Sequence, residues 1–322
     1  MALERELTLE LVRVTEGAAL GAARWMGRGD KNTADGAAVA AMRAMLQTVD
    51  IDGTVVIGEG EMDEAPMLYI GEAVGGGGSP VDVAVDPIEG TNLVAKGLPD
   101  AIAVLAVAPR GCLLHAPDIY MDKIAVGPGA AGAVDLDAPP GDNVRAVARA
   151  LGKEPEAVTV ILLDRPRHAD IVAAVRAVGA RIKLISDGDV WAAMATAMPE
   201  TGIDLMLGKG GAPEGVLAAA ALRCLGGELQ GRLAPTDEVE AARAASMLGG
   251  DPRRILRLDD LVRGEDVIFS ATGITTGDLL RGVTFAAGGR ARTHSIAMRY
   301  HTGTVRHVYA EHRLDRKPIV GA

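Results

Sequence analysis

The stretch Val81-Asp-Val-Ala-Val-Asp-Pro-Ile-Glu-Gly-Thr-Asn92 decides how the rest of the chain is read. Val81, Val83 and Val85 alternate with shorter or acidic residues, which is the period of a strand with its valines on one side. Asp86 closes that strand, so its carboxylate projects from a fixed platform, and Pro87 stiffens the turn that follows. Glu89 comes three residues later and can point back to the same place. Gly90 and Thr91 then offer backbone N–H groups and a hydroxyl, and a helix or tight turn starting at Thr91 would make them an anion pocket. Cation-type carboxylates and phosphate-type donors thus share residues 86–91. The same letters also suit a strand followed by an ordinary Pro-Gly turn, and the surrounding sequence has to choose.

Upstream, residues 3–25 have the spacing of a long helix, with Leu7, Leu11, Val14 and Ala18 on one face. After the loop Gly27–Asn32, Thr33 or Asp35 can cap a second helix over Ala37–Leu46. Gly53–Gly58 is a short β-branched strand, and Gly75–Gly78 is a flexible turn. Downstream, Ala101–Ala108 is a buried strand, and residues 120–136 hold one or two strands around a Gly-rich turn. The rhythm then changes. Strands at Val158–Leu163, Ile182–Ile185 and Ile203–Leu207 each precede a helix, at Ala169–Val178, Val190–Ala197 and Pro213–Leu225. Three β-then-α units predict a parallel or mostly parallel layered sheet. From about Asp266 the chain is rich in strands again. The loop Gly152–Glu156 suggests a boundary near residue 155, giving an N-terminal α+β domain over 1–155 and a C-terminal α/β domain over 156–322.

The bulk properties narrow the function. At 322 residues the chain can bury a large core, and 48% hydrophobic with 24% charged residues is ordinary for a globular protein. Net charge is −10 and aromatics are 2%, which argues against nucleic-acid binding. Cys112 and Cys224 form no zinc-type spacing. The first residues lack a signal-peptide core, and runs such as Ala101–Pro109 fall far short of the ~18 residues of a membrane span. A cytoplasmic protein without membrane partners is expected.

Glycines flank most of the acids that lie at turns. Asp30 and Asp35 stand in GRGDKNTAD, and Glu59, Glu61 and Asp63 in IGEGEMDEAP. Asp187 and Asp189 stand in SDGDV, and Glu214 in GGAPEG. Glycine allows close approach of backbone to ligand, and hard divalent cations such as Mg²⁺ take carboxylate and phosphate oxygens.

DPIEGT at 86–91 resembles the signature of the lithium-sensitive, metal-dependent sugar phosphatases. Glu89, where most of that superfamily has Asp, is similar to the class II fructose-1,6-bisphosphatase branch. GRGDKNTADGAAV (27–39), VIGEGEMDEAPMLYIGE (56–72), YMDKIAVGPGA (120–130), PRH (166–168), DGDV (187–190), GGAPEG (210–215) and FSATGITTGDLL (269–280) extend the likeness over roughly 3–317. The resemblance implies a layered αβαβα sandwich of two domains with the active site between them. It implies hydrolysis of fructose 1,6-bisphosphate to fructose 6-phosphate and phosphate, a gluconeogenic step, with two or more Mn²⁺ or Mg²⁺ ions and no nucleotide cofactor. Asp35 and Glu59 would bind one metal; Asp86, Glu89 and Glu214 another. Glu89, Gly90 and Thr91 would hold the phosphate being cleaved, and Asp63 with Thr91 would orient or deprotonate the attacking water. Tyr120, Arg165, Arg167, Asp187, Gly188, Asp189 and Gly211 resemble contacts to the sugar and the distal phosphate. Lys31 is a further neighbour of that site. A homo-oligomer, dimer or tetramer, belongs to the same expectation.

The chemistry agrees with the likeness. Two metals about 3.5–4 Å apart can activate water, neutralise phosphoryl charge and assist the leaving group, while arginine forks suit the phosphate that does not react. Sedoheptulose 1,7-bisphosphate as a main or additional substrate, another phosphomonoester, and a non-catalytic sugar-phosphate sensor are the rival readings. Gly127-Pro-Gly-Ala-Ala-Gly132 matches G-x-G-x-x-G, but the next eight residues end in Pro-Pro and form no helix pattern, so a Gly-rich hairpin turn is expected instead of a dinucleotide site. His168, in PRH, is a candidate to approach substrate, and both cysteines are expected to be buried.

Overall fold

The computed structural model describes residues 3–60 and 67–317. Glu61 and Asp63 lie outside these residues. The chain divides into two compact units, Met1–Leu113 with Gly264–Ala322, and Leu114–Arg263.

The first unit starts with α1 (Leu7–Ala23) and α2 (Lys31–Leu46), followed by β1 (Ile51–Ile57), β2 (Ala73–Val74), β3 (Ser79–Glu89), α3 (Thr91–Lys96) and β4 (Ile102–Pro109). Asp30, not Thr33 or Asp35, caps α2: its carboxylate accepts from the Thr33 N–H and hydroxyl at 3.0 and 2.6 Å. β1 and β3 are parallel, and β3 and β4 antiparallel. Val81, Val83 and Val85 point into one core with Leu11, Leu20, Met42 and Leu105. The other side of β3 is buried too, and Asp82 there accepts from the Leu113 N–H at 3.0 Å. β3 therefore carries no solvated face. It also runs three residues beyond Asp86, with its pairing to β4 shifting between Asp86 and Glu89.

The second unit contains β5 (Tyr120–Val126), α4 (Pro140–Leu151), β6 (Thr159–Leu163), α5 (Ala169–Ala177), β7 (Arg181–Ile185), α6 (Asp189–Ala195), β8 (Leu205–Gly211), α7 (Ala212–Leu225), β9 (Glu228–Leu233), α8 (Glu238–Leu248), β10 (Leu256–Arg257) and α9 (Leu258–Leu261). Its sheet has the order β10-β9-β5-β8-β6-β7. The three β-then-α units stand, and their strands are parallel as β8-β6-β7. The sheet is nevertheless mixed, because β5, β9 and β10 join it antiparallel.

Residues 127–132 are not a hairpin turn. A short 3₁₀ turn at Pro128–Ala130 follows β5, and α4 begins at Pro140. Gly127 packs so tightly that a Cβ would lie 2.2 Å from Thr196 O, which explains that glycine without a ligand.

The chain then returns to the first unit with β11 (Ile268–Gly273), β12 (Thr284–Ala286), β13 (Arg290–Arg299) and β14 (Thr304–Arg313). β11 pairs antiparallel with β4, completing an eight-stranded sheet in the order β12-β13-β11-β4-β3-β1-β2, with β14 on β13. The boundary near 155 is accordingly not where the contacts divide the chain. Gly152–Glu156 links α4 to β6 inside the second unit, where Val144 and Val147 of α4 share a core with Val160 and Leu162 of β6. The α/β class holds, with two mixed sheets. Among the described residues no helix is long and apolar enough to cross a membrane.

Candidate active site

In the first unit the chemistry-bearing turn grows out of β3. Asp86 Oδ1 accepts from the Ile88 N–H at 3.0 Å, which curls the chain back over the aspartate. Glu89 is 3% exposed. Gly90 takes φ +93°, a left-handed conformation that a side chain disfavours, and this lets α3 begin at Thr91 as expected. The Thr91 hydroxyl donates to Ile88 O at 3.3 Å.

Asp35 and Glu59 come together. Glu59 follows β1, and its N–H donates to Leu68 O at 3.0 Å. The approach needs Gly58, since a Cβ there would lie 2.0 Å from Leu68 O. Burial, reinforced by the Asp35 charge, pushes Glu59 up to about 7, and burial also raises Asp35. A buried acid beside a second, partly buried carboxylate is matched to a cation. Lys31 is exposed at the start of α2.

In the second unit the candidates gather around β5 and the β8–α7 turn. Tyr120 pairs with Gly211 across the two strands. The Arg167 guanidinium lies 5.0 Å from the Tyr120 ring centroid and donates to Lys209 O, from Nη2 at 2.7 Å. Arg165 is turned to the Asp164 carbonyl at 3.2 Å. His168 is not presented to substrate. It is 1% exposed, with Nδ1 2.8 Å from Leu163 O and the Lys209 N–H donating to Nε2 at 2.8 Å. Nε2 therefore serves as an acceptor, and Nδ1 faces a carbonyl that can only accept.

Gly188, at φ +104°, turns the chain so that Asp189 opens α6. The glycines of GGAPEG are steric requirements. A Cβ on Gly210 would lie 1.7 Å from Asp189 Oδ2, and one on Gly211 would lie 1.9 Å from Glu214 Oε2. Glu214 Oε2 is buried without a hydrogen-bond partner among the described residues. Burial raises the Glu214 pKa, opposed by Lys123 and reinforced by Asp189 and Asp118. An orphaned buried carboxylate oxygen costs roughly 1–3 kcal/mol or more, and a metal ion is a partner that offsets it. The donor set thus fits a hard divalent cation.

No pattern of acids or glycines in the sequence singles out Lys123. It is 1% exposed, and Nζ donates to Asp189 Oδ2 at 2.5 Å and to Gly211 O at 2.8 Å. Its signal was a lysine in phase with the buried Met121 and Ala125 along β5. Cys224 is buried as expected, whereas Cys112 is half-buried. Among the described residues no three His, Cys, Asp or Glu side chains converge in liganding geometry.

A profile of the family described as "Bacterial fructose-1,6-bisphosphatase, glpX-encoded" matches residues 5–312. The chain belongs to this family. It is also 52% identical to a "Fructose-1,6-bisphosphatase 1 class 2" of Escherichia coli, over 98% of this chain and 97% of that protein. A "Fructose-1,6-bisphosphatase class 2" of Shigella flexneri matches with the same identity and coverage. The likeness carried by DPIEGT, with Glu89, and by the longer motifs is thereby borne out, and membership of the glpX-encoded fructose-1,6-bisphosphatases makes the chain a phosphatase.

Proposed function

We infer that the chain hydrolyses fructose 1,6-bisphosphate to fructose 6-phosphate and phosphate, using Mn²⁺ or Mg²⁺ in two or more sites. Fructose-1,6-bisphosphatases depend on divalent metal. The observation that carries the reading on this chain is Glu214, a buried carboxylate with an oxygen that has no hydrogen-bond partner among the described residues and lies close against Gly211. Asp35 and Glu59 are the proposed ligands of one ion; Asp86, Glu89 and Glu214 of another. When bound, the ions supply an activated water and neutralise phosphoryl charge.

The chain's own groups do the rest. Glu89, Gly90 and Thr91 receive the phosphate to be cleaved. Asp63 takes the proton of the attacking water, which Thr91 orients. Tyr120, Asp187, Gly188, Asp189 and Gly211 hold the sugar. Arg165 and Arg167 hold the distal phosphate, whose planar fork geometry suits two oxygens at once. Arg167 lies against the Tyr120 ring, a contact that holds its guanidinium in place and lowers the entropic cost of binding. Cytoplasmic location and assembly as a dimer or tetramer complete the proposal.

The test is phosphate release from fructose 1,6-bisphosphate with Mn²⁺, with Mg²⁺ and with excess EDTA. Rapid, metal-dependent release that EDTA abolishes is the expected result. No release from folded protein with either metal would sink the proposal. Sedoheptulose 1,7-bisphosphate in parallel decides between the two sugars, since pockets discriminate one hydroxymethylene weakly.

A further inference from the structure

We propose that Lys123 is a positioning residue that sorts the two acids beside it, holding Asp189 for the sugar and leaving Glu214 for the metal. The inference rests on the reading of Asp189 and Glu214 given above.

An ammonium taken out of water is expensive, and an apolar side chain of similar volume would fill the same space at less cost. Lys123 nevertheless sits at 1% exposure on β5. Its contacts reach two separate elements. One is Asp189 at the first residue of α6; the other is the Gly211 carbonyl, at the end of β8 and directly before α7. Glu214 stands in the first turn of α7. One nitrogen therefore pins the element bearing the proposed sugar contact to the turn bearing the proposed metal ligand.

Charge makes the pinning selective. Asp189 and Glu214 are two buried acids with one buried ammonium close to both. The ammonium is bonded to Asp189 Oδ2, whereas Glu214 Oε2 keeps no partner among the described residues. Asp189 is thus neutralised and fixed in orientation, and Glu214 is the acid left over for an external cation. Gly210 serves the same end, because it lets Asp189 Oδ2 lie against the β8 backbone. Removing the ammonium would release Asp189 and set it in competition with Glu214 for the metal.

The experiment compares wild type with Lys123→Met, Lys123→Arg, Asp189→Asn and the double variant Lys123→Met/Asp189→Asn. The readouts are KM and kcat for fructose 1,6-bisphosphate and, separately, the rise in Tm that Mn²⁺ alone produces. Lys123→Met should raise KM about tenfold, the size of one lost charge-assisted bond, with a smaller fall in kcat, and should change the Mn²⁺ concentration that half-saturates the Tm rise. Lys123→Arg should shift KM in the same direction by less, since it keeps the charge but cannot place a single nitrogen on both partners. Because Lys123 acts on the sugar through Asp189, its KM effect should largely vanish in the Asp189→Asn background. Wild-type KM and an unchanged Mn²⁺ response in Lys123→Met would overturn the proposal, as would full additivity with Asp189→Asn. If Lys123→Met does not fold, Lys123→Arg with a wild-type KM and Mn²⁺ response overturns it instead. The Mn²⁺ melting arm needs no turnover, so an inactive wild type would count against the assigned reaction and leave the sorting role to be judged from metal binding.

Discussion

Gly211 and Glu214 are in closer contact than any side chain at position 211 would allow, since a Cβ there would lie 1.9 Å from Glu214 Oε2. Gly211 itself has φ −68° and ψ 145°, which suits an alanine backbone. Gly211→Ala should therefore act by displacing the carboxylate and not by straining the chain. Phosphate release should fall by about two orders of magnitude, as for misplacement near 1 Å, with Tm within a few degrees of wild type. A variant with unchanged turnover would show that Glu214 is free to move and still serve.

Glu214→Gln removes an acid that burial already disfavours in the charged state. In EDTA the variant should be as stable as wild type or more so, because no charge has to be kept out of water. The Tm gain from Mn²⁺ and the hydrolysis should both be lost. Calorimetric melting with and without Mn²⁺ checks the two halves independently.

Glu59 gives a pH prediction with a definite sign. Its folded pKa of about 7 lies above the ordinary 4.5, so the metal-free folded state binds this proton more tightly than the unfolded chain does. That contribution to stability is fully present below about 4.5 and is lost as pH rises through about 7. Glu59→Gln should escape the loss. Melting in EDTA from pH 5 to 8 should show the variant gaining on wild type as pH rises, and Mn²⁺ should restore wild type alone at pH 8. Parallel curves in EDTA would contradict the burial of this acid.

His168→Ala should separate fold from chemistry. It deletes the acceptor of the Lys209 N–H, leaving that part-buried group unpaired at roughly 1–3 kcal/mol, and one of two partners of Leu163 O, which keeps the Arg165 N–H at 2.9 Å. Urea denaturation should show that loss, while kcat per folded molecule should stay near wild type. A selective collapse of kcat would return His168 to the reacting centre.

Local patterns in the sequence were legible and distant pairings were not. The valines of β3 announce a strand through their alternation, and the glycines around Asp189 and Glu214 announce close approach. Helix α4 is hidden because Pro139 and Pro140 look like a loop, whereas Pro140 occupies the first helical position, where proline is favoured. Asp30, Thr33 and Asp35 all carry side chains able to cap α2, and only the fold chooses Asp30 among them. Asp35 and Glu59 could be named as acids at turns, but their mutual proximity depends on Gly58 admitting the Leu68 carbonyl. The contact-based division is hidden for the same reason: nothing along residues 264–317 states that β11 will pair with β4.

That last pairing has a consequence for how the protein is made. Ile268 lies opposite Val107, so the first sheet waits for strands translated after the whole of the second unit. On the ribosome, residues 114–263 emerge as a contiguous segment with its own core, and can reach their native contacts while β4 still exposes the edge reserved for β11. The polypeptide that starts the first unit is therefore the last to be finished. A nascent chain stalled once Arg263 has just cleared the exit tunnel should hold a protease-resistant core from the middle of the sequence and a cleavable beginning.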